Sequence, residues 1–165
     1  MANQQSELKL LKLLEQDCML TPKQLAAMCN MTEDEVHMEI EQLQKDHVIL
    51  GYKAIVNWDD TIDETVMALI EVSVTPQRDK GFDRIAERIY QYDEVESLYL
   101  ISGGFDFTVI ITGRTVKEVA MFVAQRLSTI EGVTSTSTHF ILKKYKEKHT
   151  IFAPKEEQKE RPIFV

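Results

Sequence analysis

The sequence lacks any long hydrophobic run, and this absence limits the kind of protein it can encode. No apolar stretch among the 165 residues approaches the roughly 20 residues that a membrane-spanning helix needs. The N-terminal segment MANQQSELKLLKLLEQ alternates leucine with lysine and glutamate, which indicates an amphipathic helix and not a signal peptide. Cysteine is scarce too: Cys18 and Cys29 form no C-x-x-C pair. We therefore expect a cytoplasmic protein with no membrane partner, whose two cysteines are reduced and structurally buried.

Positive charge is also in short supply. No arginine precedes Arg78, and the whole chain has 27 acids against 19 bases, a net charge of −8. This balance argues against a protein that coats nucleic acid nonspecifically, because such a protein would be strongly basic. It does not exclude a specific DNA-binding protein, since a locally basic patch can lie on an acidic body.

The first 56 residues show the periodicity of three helices. The apolar residues of the first helix are Leu8, Leu10, Leu11 and Leu14. Thr21 and Pro22 predict the start of the second helix, with threonine as N-cap and proline at the first helical position. The residues expected on its buried side are Leu25, Ala26, Met28 and Cys29.

A short turn separates the second helix from the third. Asn30 suits a left-handed C-cap, and Thr32 with Glu35 forms a capping box that begins the third helix. The inner stripe of this helix is expected to be Val36, Ile40 and Leu43. Two helices joined by so short a turn are typical of a helix-turn-helix. The β-rich stretch HVILGYKAIVN follows as an extended segment, so residues 1–56 predict a winged helix-turn-helix domain.

Residues 57–65 are polar, acidic and short, which is typical of a domain linker. Beyond the linker, the periodicity predicts strands at 66–75, 95–102, 106–112 and 133–146, and helices at 81–92 and 115–129. Gly103 and Gly104 indicate a hairpin turn between the second and third strands. The order βαββαβ predicts an α+β chain whose second domain, residues 66–146, is ferredoxin-like. Residues 147–165 are expected to be a charged tail, with the apolar residues Ile163, Phe164 and Val165 as a candidate anchor.

The apolar residues of the predicted strands suggest an oligomer. A four-stranded sheet with both helices on one face leaves its other face bare. The strands containing DFTVIIT and HFIL nevertheless have apolar residues at both odd and even positions, so apolar side chains would point to both faces. This is expected for a sheet that is covered on both faces. A second subunit's sheet is the simplest cover.

Three motifs in order make the chain resemble the leucine-responsive/asparagine-regulator (Lrp/AsnC) family of transcription regulators over residues 6–146. They are LTPKQLAAMCNMTEDEV in the helix-turn-helix, HVILGYKAIVN after it, and SGGFDF at the turn in the second domain. The resemblance implies a DNA-binding regulator whose second domain pairs sheet to sheet into dimers, which often assemble further into octamers. It also implies a small effector, usually an amino acid, bound at the dimer contact near the SGGFDF turn.

The reading helix departs from the family pattern. The family usually has arginines where this chain has Glu39 and Gln42, and residues 1–56 contain five lysines against nine acids, a net charge of −4. Glu33, Asp34 and Glu35 crowd the first helical turn, where each carboxylate is stabilised by the helix dipole by ~0.3–1 kcal/mol. The same positive helix end would otherwise attract a phosphate. These acids favour folding of the helix and oppose DNA binding.

The expected contacts fall into two groups. The candidate DNA contacts are Thr21, Lys23, Gln24, Thr32, His37, Gln42, Lys45 and Lys53, and Glu39 is a candidate acceptor for a cytosine amino group. The candidate effector contacts are Gly103, Gly104, Phe105, Asp106, Thr136 and Thr138, with Thr134, Ser135 and Ser137 as alternative hydroxyls on the last strand. The glycines and Asp106 also have a purely structural interpretation, in which they only shape and brace the hairpin.

Two alternatives to a DNA-binding regulator stay open from the sequence. One is a small-molecule-sensing or protein-interaction oligomer whose first domain has lost or nearly lost DNA binding. The other is an enzyme, because sirohaem decarboxylases share this pair of folds. The histidines, His37, His47, His139 and His149, lie on separate predicted elements without ligand spacing, and no glycine loop cradles a phosphate. We therefore expect no catalytic residues, no metal and no cofactor.

Overall fold

The computed structural model describes residues 2–62, 65–75 and 81–152, and the chain divides into two compact units, Met1–Ile55 and Val56–Val165. None of the helices in these described ranges combines the length and apolarity that crossing a membrane would require. The first unit is helical, whereas the second contains all of the described strands.

Three helices form the first unit: α1 (Ala2–Gln16), α2 (Pro22–Cys29) and α3 (Glu33–Lys45). Their ends lie where local sequence chemistry predicts them. Thr21 caps α2, and Asn30 ends it in the left-handed conformation at φ 57°, ψ 48°. Thr32 caps α3 in a capping box with Glu35. Because the caps satisfy backbone N–H groups that have no partner within the helix, they define where each helix starts.

The core of this unit is small and apolar. Its buried residues are Leu10, Leu25, Ala26, Cys29, Val36 and Leu43, and Ile40 packs against them from the partly buried side of α3. Two expectations are wrong here: Met28 is 44% exposed, and Cys18 is exposed rather than buried. Leu8 in α1 is exposed as well. A helix of this size turns only one face to a small core, so apolar residues on its flanks remain in solvent.

The segment after α3 does not form the predicted wing strand. Residues 49–57 have no regular secondary structure, and a 3-10 turn follows at Trp58–Asp60, within the predicted linker. A β-strand needs a neighbouring strand for its backbone hydrogen bonds. The described part of the first unit contains no other strand that could provide one.

The second unit is the predicted βαββαβ arrangement. Its elements are β1 (Val66–Val74), α4 (Asp83–Tyr90), β2 (Val95–Leu100), β3 (Phe107–Gly113), α5 (Val116–Phe122) and β4 (Val133–Ile141). The strands form an antiparallel sheet in the order β2-β3-β1-β4, with Ile70 opposite Val109 on one side and opposite Thr138 on the other. The helix that begins as α5 continues as a π-helical segment, Val123–Leu127, which the sequence did not indicate.

One face of the sheet packs on the two helices. Alternate residues of β1 and β3 are buried there: Ala68, Ile70, Val72, Val74, Phe107, Val109 and Ile111. The helices contribute Ile85, Ile89, Val119, Phe122, Val123 and Leu127. The opposite face, called the open face below, carries the intervening residues, including Met67, Leu69, Ile110 and Ile141. Apolar side chains therefore do lie on both faces of the sheet.

The last predicted strand is too long, and the predicted tail is partly folded. β4 ends at Ile141 instead of residue 146, because its neighbour β1 begins at Val66 and Met67 is the partner of Ile141. Two short strands follow, β5 (Lys146–Glu147) and β6 (Thr150–Ile151), which pair as a hairpin. The proposed anchor at Ile163, Phe164 and Val165 lies outside the described residues.

Candidate functional site

The candidate DNA-binding surface is formed by α2, α3 and the short turn between them. The turn is closed by the backbone N–H groups of Asn30 and Met31, both of which donate to Ala26 O. All eight predicted DNA contacts have exposed side chains: Thr21, Lys23, Gln24, Thr32, His37, Gln42, Lys45 and Lys53. The fold therefore presents each of these residues to solvent, although several already have partners within the chain.

Three of the eight side chains are used by the helix caps. Thr21 N–H donates to Gln24 Oε1 at 2.8 Å, and Gln24 N–H donates back to Thr21 Oγ1 at 3.3 Å. In the second box, Thr32 N–H donates to Glu35 Oε2 at 2.7 Å, and Glu35 N–H returns a bond to Thr32 Oγ1 at 3.2 Å. A base or phosphate contact from these residues would compete with a cap that stabilises the helix by ~0.5–2 kcal/mol.

Carboxylates occupy much of the remaining polar surface of α3. Gln42 donates to Asp46 Oδ2 at 2.8 Å, and Lys45 lies 3.9 Å from Glu41 in a pair that is about 70% exposed on both sides. Such an exposed pair is weak, so Lys45 can leave it for a phosphate. Hydrogen bonds from Thr32, first from its backbone N–H and then from its hydroxyl, hold the pKa of Glu35 below its ordinary value. Glu35 is therefore a persistent negative charge at the start of α3.

Glu39 flanks the buried stripe of α3, a position that predicts a solvent-facing side chain, but its side chain is partly buried beside Ile40. The 3.6-residue period places position 39 at the margin of the inner stripe, so packing covers part of the side chain. Lys23, His37 and Lys53 are the exposed candidates that have no hydrogen-bond or ion-pair partner for their side chains among the described residues.

The candidate ligand-binding turn, residues 101–106, connects β2 to β3. Ile101 N–H donates to Asp106 O at 2.7 Å, which closes the turn. Asp106 is anchored to β1 twice: its N–H donates to Val72 O at 3.1 Å, and its Oδ2 accepts from Val74 N–H at 2.8 Å. Asp106 therefore does brace the turn, and one of its two carboxylate oxygens is used for this contact.

The two glycines of the turn do not need glycine's conformational freedom. Neither has a positive φ, although Gly51, Gly81 and Gly132 do. A Cβ on Gly104 would meet no atom within 4 Å, and one on Gly103 would meet only Ile101 Cγ2 at 3.6 Å, an ordinary contact. The single chain thus gives no steric or conformational reason for glycine at positions 103 and 104. Phe105, next to them, is partly buried.

The two predicted threonines of β4 do not project toward the open face. Thr136 lies opposite Val72 and Thr138 opposite Ile70, so both point toward the helices. Thr136 Oγ1 lies 3.3 Å from Ser128 Oγ, beyond the end of the π-helical segment. β1 separates β4 from the glycine turn, so two strand spacings, roughly 10 Å, lie between these threonines and Asp106. The open face of β4 instead carries Ser135, Ser137 and His139.

No group of three histidine, cysteine or acidic side chains in the described ranges is arranged to hold a metal ion. His139, the histidine on β4, pairs with Glu71 on the open face at 3.3 Å and lies 3.3 Å from Ser137 Oγ. Burial raises the pKa of the Cys29 thiol, and the charge of Lys9 opposes this only in part. Cys29 therefore stays protonated, as expected for a structural cysteine.

With the helix-turn-helix and the turn on the sheet described, comparison with known proteins identifies the family. The sequence profile of the Lrp/AsnC ligand binding domain matches residues 67–151. The chain belongs to the Lrp/AsnC family. It is 42% identical over 156 residues to the uncharacterised HTH-type transcriptional regulator YugG of Bacillus subtilis, and the match covers 94% of each chain.

Solved structures of transcription regulators have the same fold. The transcriptional regulator NMB0573 of Neisseria meningitidis, crystallised with L-Met, superposes with a TM-score of 0.69 at 21% identity, covering 86% of this chain and 91% of that one. Escherichia coli AsnC superposes with a TM-score of 0.67 at 16% identity, covering 87% and 94%. The family's ligand-binding profile ends at residue 151, so it includes the β5–β6 hairpin, most of which lies in the predicted tail. The lysine-rich run KKYKEK, residues 143–148, overlaps this hairpin and is a feature of the sequence that could have drawn attention to it.

Proposed function

We propose that this protein is a DNA-binding transcription regulator that responds to a small effector, an amino acid in the simplest case. The observation that supports DNA binding is the capped α2–turn–α3 arrangement, which presents Lys23 and His37 without competing partners in the described chain. Titration of a fluorescent duplex at several salt concentrations tests it. Binding should weaken as salt rises, because cations that contact phosphates release counterions. Lys23→Gln should reduce both the affinity and the salt dependence.

The effector site is proposed at the glycine turn. A Cβ at Gly103 or Gly104 would not clash with any atom of the single chain, so the chain itself does not require glycine there. A ligand that lies close to the backbone of the turn would account for the two glycines. Backbone N–H groups at the turn are suited to a carboxylate, and the second oxygen of Asp106 is suited to an α-amino group. The L-Met complex of the Neisseria regulator provides a first compound to try.

Thermal shift against each of the amino acids tests the effector site. A compound that binds only the folded protein must raise the melting temperature. Gly104→Ala should keep the unliganded melting temperature, since nothing in the chain contacts the added methyl group, and should lose the ligand shift. A full ligand shift in Gly104→Ala would place the site elsewhere.

The proposed assembly is a homodimer through the open face of the sheet, from which an octamer could be built. Met67, Ile110 and Ile141 line a groove of about 530 Å³ on this face. Light scattering of the full chain at micromolar concentration should report at least a dimer. Ile110→Lys should shift the mass toward the monomer, whereas Glu87→Lys, exposed on the helix layer, should not. A monomeric wild-type protein would contradict the assembly.

The proposed role is regulatory and includes no catalytic step. The described histidines lie apart: His37 and His47 in the first unit, His139 paired with Glu71 on the open face, and His149 in the hairpin. Anaerobic incubation with sirohaem tests the alternative enzyme. Formation of a decarboxylated product would refute a purely regulatory role.

A second candidate function is an effector-sensing oligomer that binds a protein through its first unit and DNA weakly or not at all. The acidic surface of α3, with Glu33, Asp34 and Glu35 in its first turn, favours it. Gel shifts with the full-length protein separate the two candidates. The absence of a salt-dependent complex with any duplex would favour the second.

A further inference from the structure

A lysine-rich surface follows β4 at the end of the described chain. Residues 143–152, called the lysine hairpin below, include β5 and β6 and contain four lysines against one glutamate, whereas the whole chain has a net charge of −8. The lysines are Lys143, Lys144, Lys146 and Lys148. This is a concentration of positive charge that the helix-turn-helix unit does not have.

Two of the four lysines have partners inside the hairpin. Lys144 Nζ donates to Glu147 Oε2 at 2.7 Å and lies 5.2 Å from the centre of the Phe152 ring. Lys143 Nζ lies 4.9 Å from the centre of the Tyr145 ring. These contacts place the cationic and aromatic side chains next to one another at the base of the short hairpin.

The other two lysines are available for an external anion. Lys146 and Lys148 are both exposed, and neither has an ion pair or side-chain hydrogen bond within residues 2–62, 65–75 and 81–152. Lys148 and His149 form the hairpin turn with φ values of 42° and 68°. Two-residue turns with two positive φ values usually contain asparagine and glycine, so a lysine and a histidine there carry backbone strain. The strained turn places both of these side chains at the tip.

We propose that the lysine hairpin binds the phosphate backbone of duplex DNA, with Lys148 as the main contact and Lys146 beside it as a second. This inference rests on the proposed DNA-binding function and identifies a second, cationic part of the interface. A lysine ammonium is a compact point charge that binds phosphate without base specificity. The hairpin therefore supplies sequence-independent affinity, whereas α3 with its acidic first turn contributes little of it. Lys146 is among the residues that line the groove on the open face, so a second subunit on the sheet can cover it. Lys148 lies outside that groove, at the tip of the hairpin, and a second subunit on the sheet does not have to cover it.

The test is a duplex titration with the full-length protein between about 50 and 200 mM salt, where phosphate contacts change affinity most visibly. Lys146→Gln and Lys148→Gln should each flatten the dependence of log K on log salt by up to ~0.9 for each phosphate that the lysine neutralises in the wild-type complex. Lys117→Gln is the matched control, because Lys117 is exposed in α5 on the helix layer and the substitution removes the same charge. Melting curves confirm that all three variants are folded.

Lysine acetylation with mass spectrometry gives an independent readout. Duplex DNA should protect Lys148 from the reagent and leave Lys117 reactive. Slopes that are unchanged in the hairpin variants, or reduced equally in Lys117→Gln, would overturn the proposal. Weaker binding to single-stranded RNA alone, with duplex binding intact, would also overturn it and point to RNA as the partner.

A fourth variant separates this inference from the proposed role of the helix-turn-helix. If Lys23→Gln weakens duplex binding and the hairpin variants do not, the helix-turn-helix is the interface and the hairpin is not part of it. If the hairpin variants weaken binding and Lys23→Gln does not, the hairpin proposal stands and the helix-turn-helix role fails. A wild-type protein without any duplex affinity would refute both.

Discussion

The carboxylate of Asp106 accepts a hydrogen bond from the backbone N–H of Val74 at 2.8 Å, across 32 residues of sequence. The bond lies where the pairing of β1 with β4 shifts register, between Ser73 and Val74. It satisfies a backbone donor and ties the glycine turn to the end of β1. Asp106 is thus a structural residue whatever else it binds.

Asp106→Ala should destabilise the second unit, because it leaves the N–H of the buried residue Val74 without its acceptor. The expected loss is ~1–3 kcal/mol in the free energy of unfolding. Asp106→Asn keeps an acceptor oxygen in the same place and should cost less. Denaturant unfolding of the three proteins measures both changes. Equal stability of Asp106→Ala and wild type would show that the bond contributes nothing.

Gly132→Ala should destabilise the protein, whereas Gly104→Ala should not. Gly132 has a φ of 98°, and an added Cβ would lie 2.9 Å from Ile85 Cδ1, while the Cβ of Gly104→Ala meets nothing within 4 Å. Alanine at such a φ costs about 1 kcal/mol or more. Parallel denaturant melts of the two variants check this. A stable Gly132→Ala would mean that the loop between α5 and β4 relaxes without cost.

Glu39→Arg should strengthen binding to unrelated duplexes. The substitution replaces a carboxylate of α3 with a guanidinium and should steepen the salt dependence by a slope of up to ~0.9 per phosphate contacted. Because Glu39 is partly buried, its stability cost can exceed the ~0.5 kcal/mol typical of exposed sites, so a melting curve accompanies the titration. No gain in affinity would mean that α3 does not lie in the groove. Weaker binding to one sequence alone would indicate that Glu39 recognises a base.

The capping box of α3 should make stability sensitive to acid. The pKa of Glu35 is lowered first by the Thr32 backbone hydrogen bond and then by the Thr32 hydroxyl. A carboxylate with a lowered pKa stabilises the fold above its ordinary pKa, and this contribution disappears as the pH falls through the lowered value. The wild-type melting temperature should therefore drop more than that of Glu35→Gln on acidification below pH about 4.5.

Glu41→Gln is the control for this pH dependence, because Glu41 pairs only with Lys45 at 3.9 Å in an exposed contact. Its acid sensitivity should resemble that of the wild-type protein. If the melting temperature of Glu35→Gln fell as much as that of the wild-type protein on acidification, the capping box would not be the cause of the acid sensitivity.

The helix ends and the order of the elements could be predicted from the sequence because they depend on near neighbours. Thr21 with Gln24 and Thr32 with Glu35 form both capping boxes, and Asn30 takes the left-handed angle at the end of α2. The interactions span at most a few residues, so the local sequence contains both partners. The apolar residues at both odd and even positions of β3 likewise indicated apolar side chains on both faces of the sheet, but not which of them pack on the helices.

Only the tertiary structure decided the features whose partners are distant in sequence. β4 ends at Ile141 because β1, which lies far earlier in the chain, provides no further partner. The direction of Thr136 and Thr138 toward the helices follows from their register with Val72 and Ile70, and a shift of one residue would reverse it. Asp106 meets Val74 only after β1 and β3 have paired. The sequence by itself determined where structure begins and which apolar residues alternate, since both are local. Register, strand ends and the bracing of the glycine turn needed the fold, because hydrogen bonds between strands join residues that no local pattern connects.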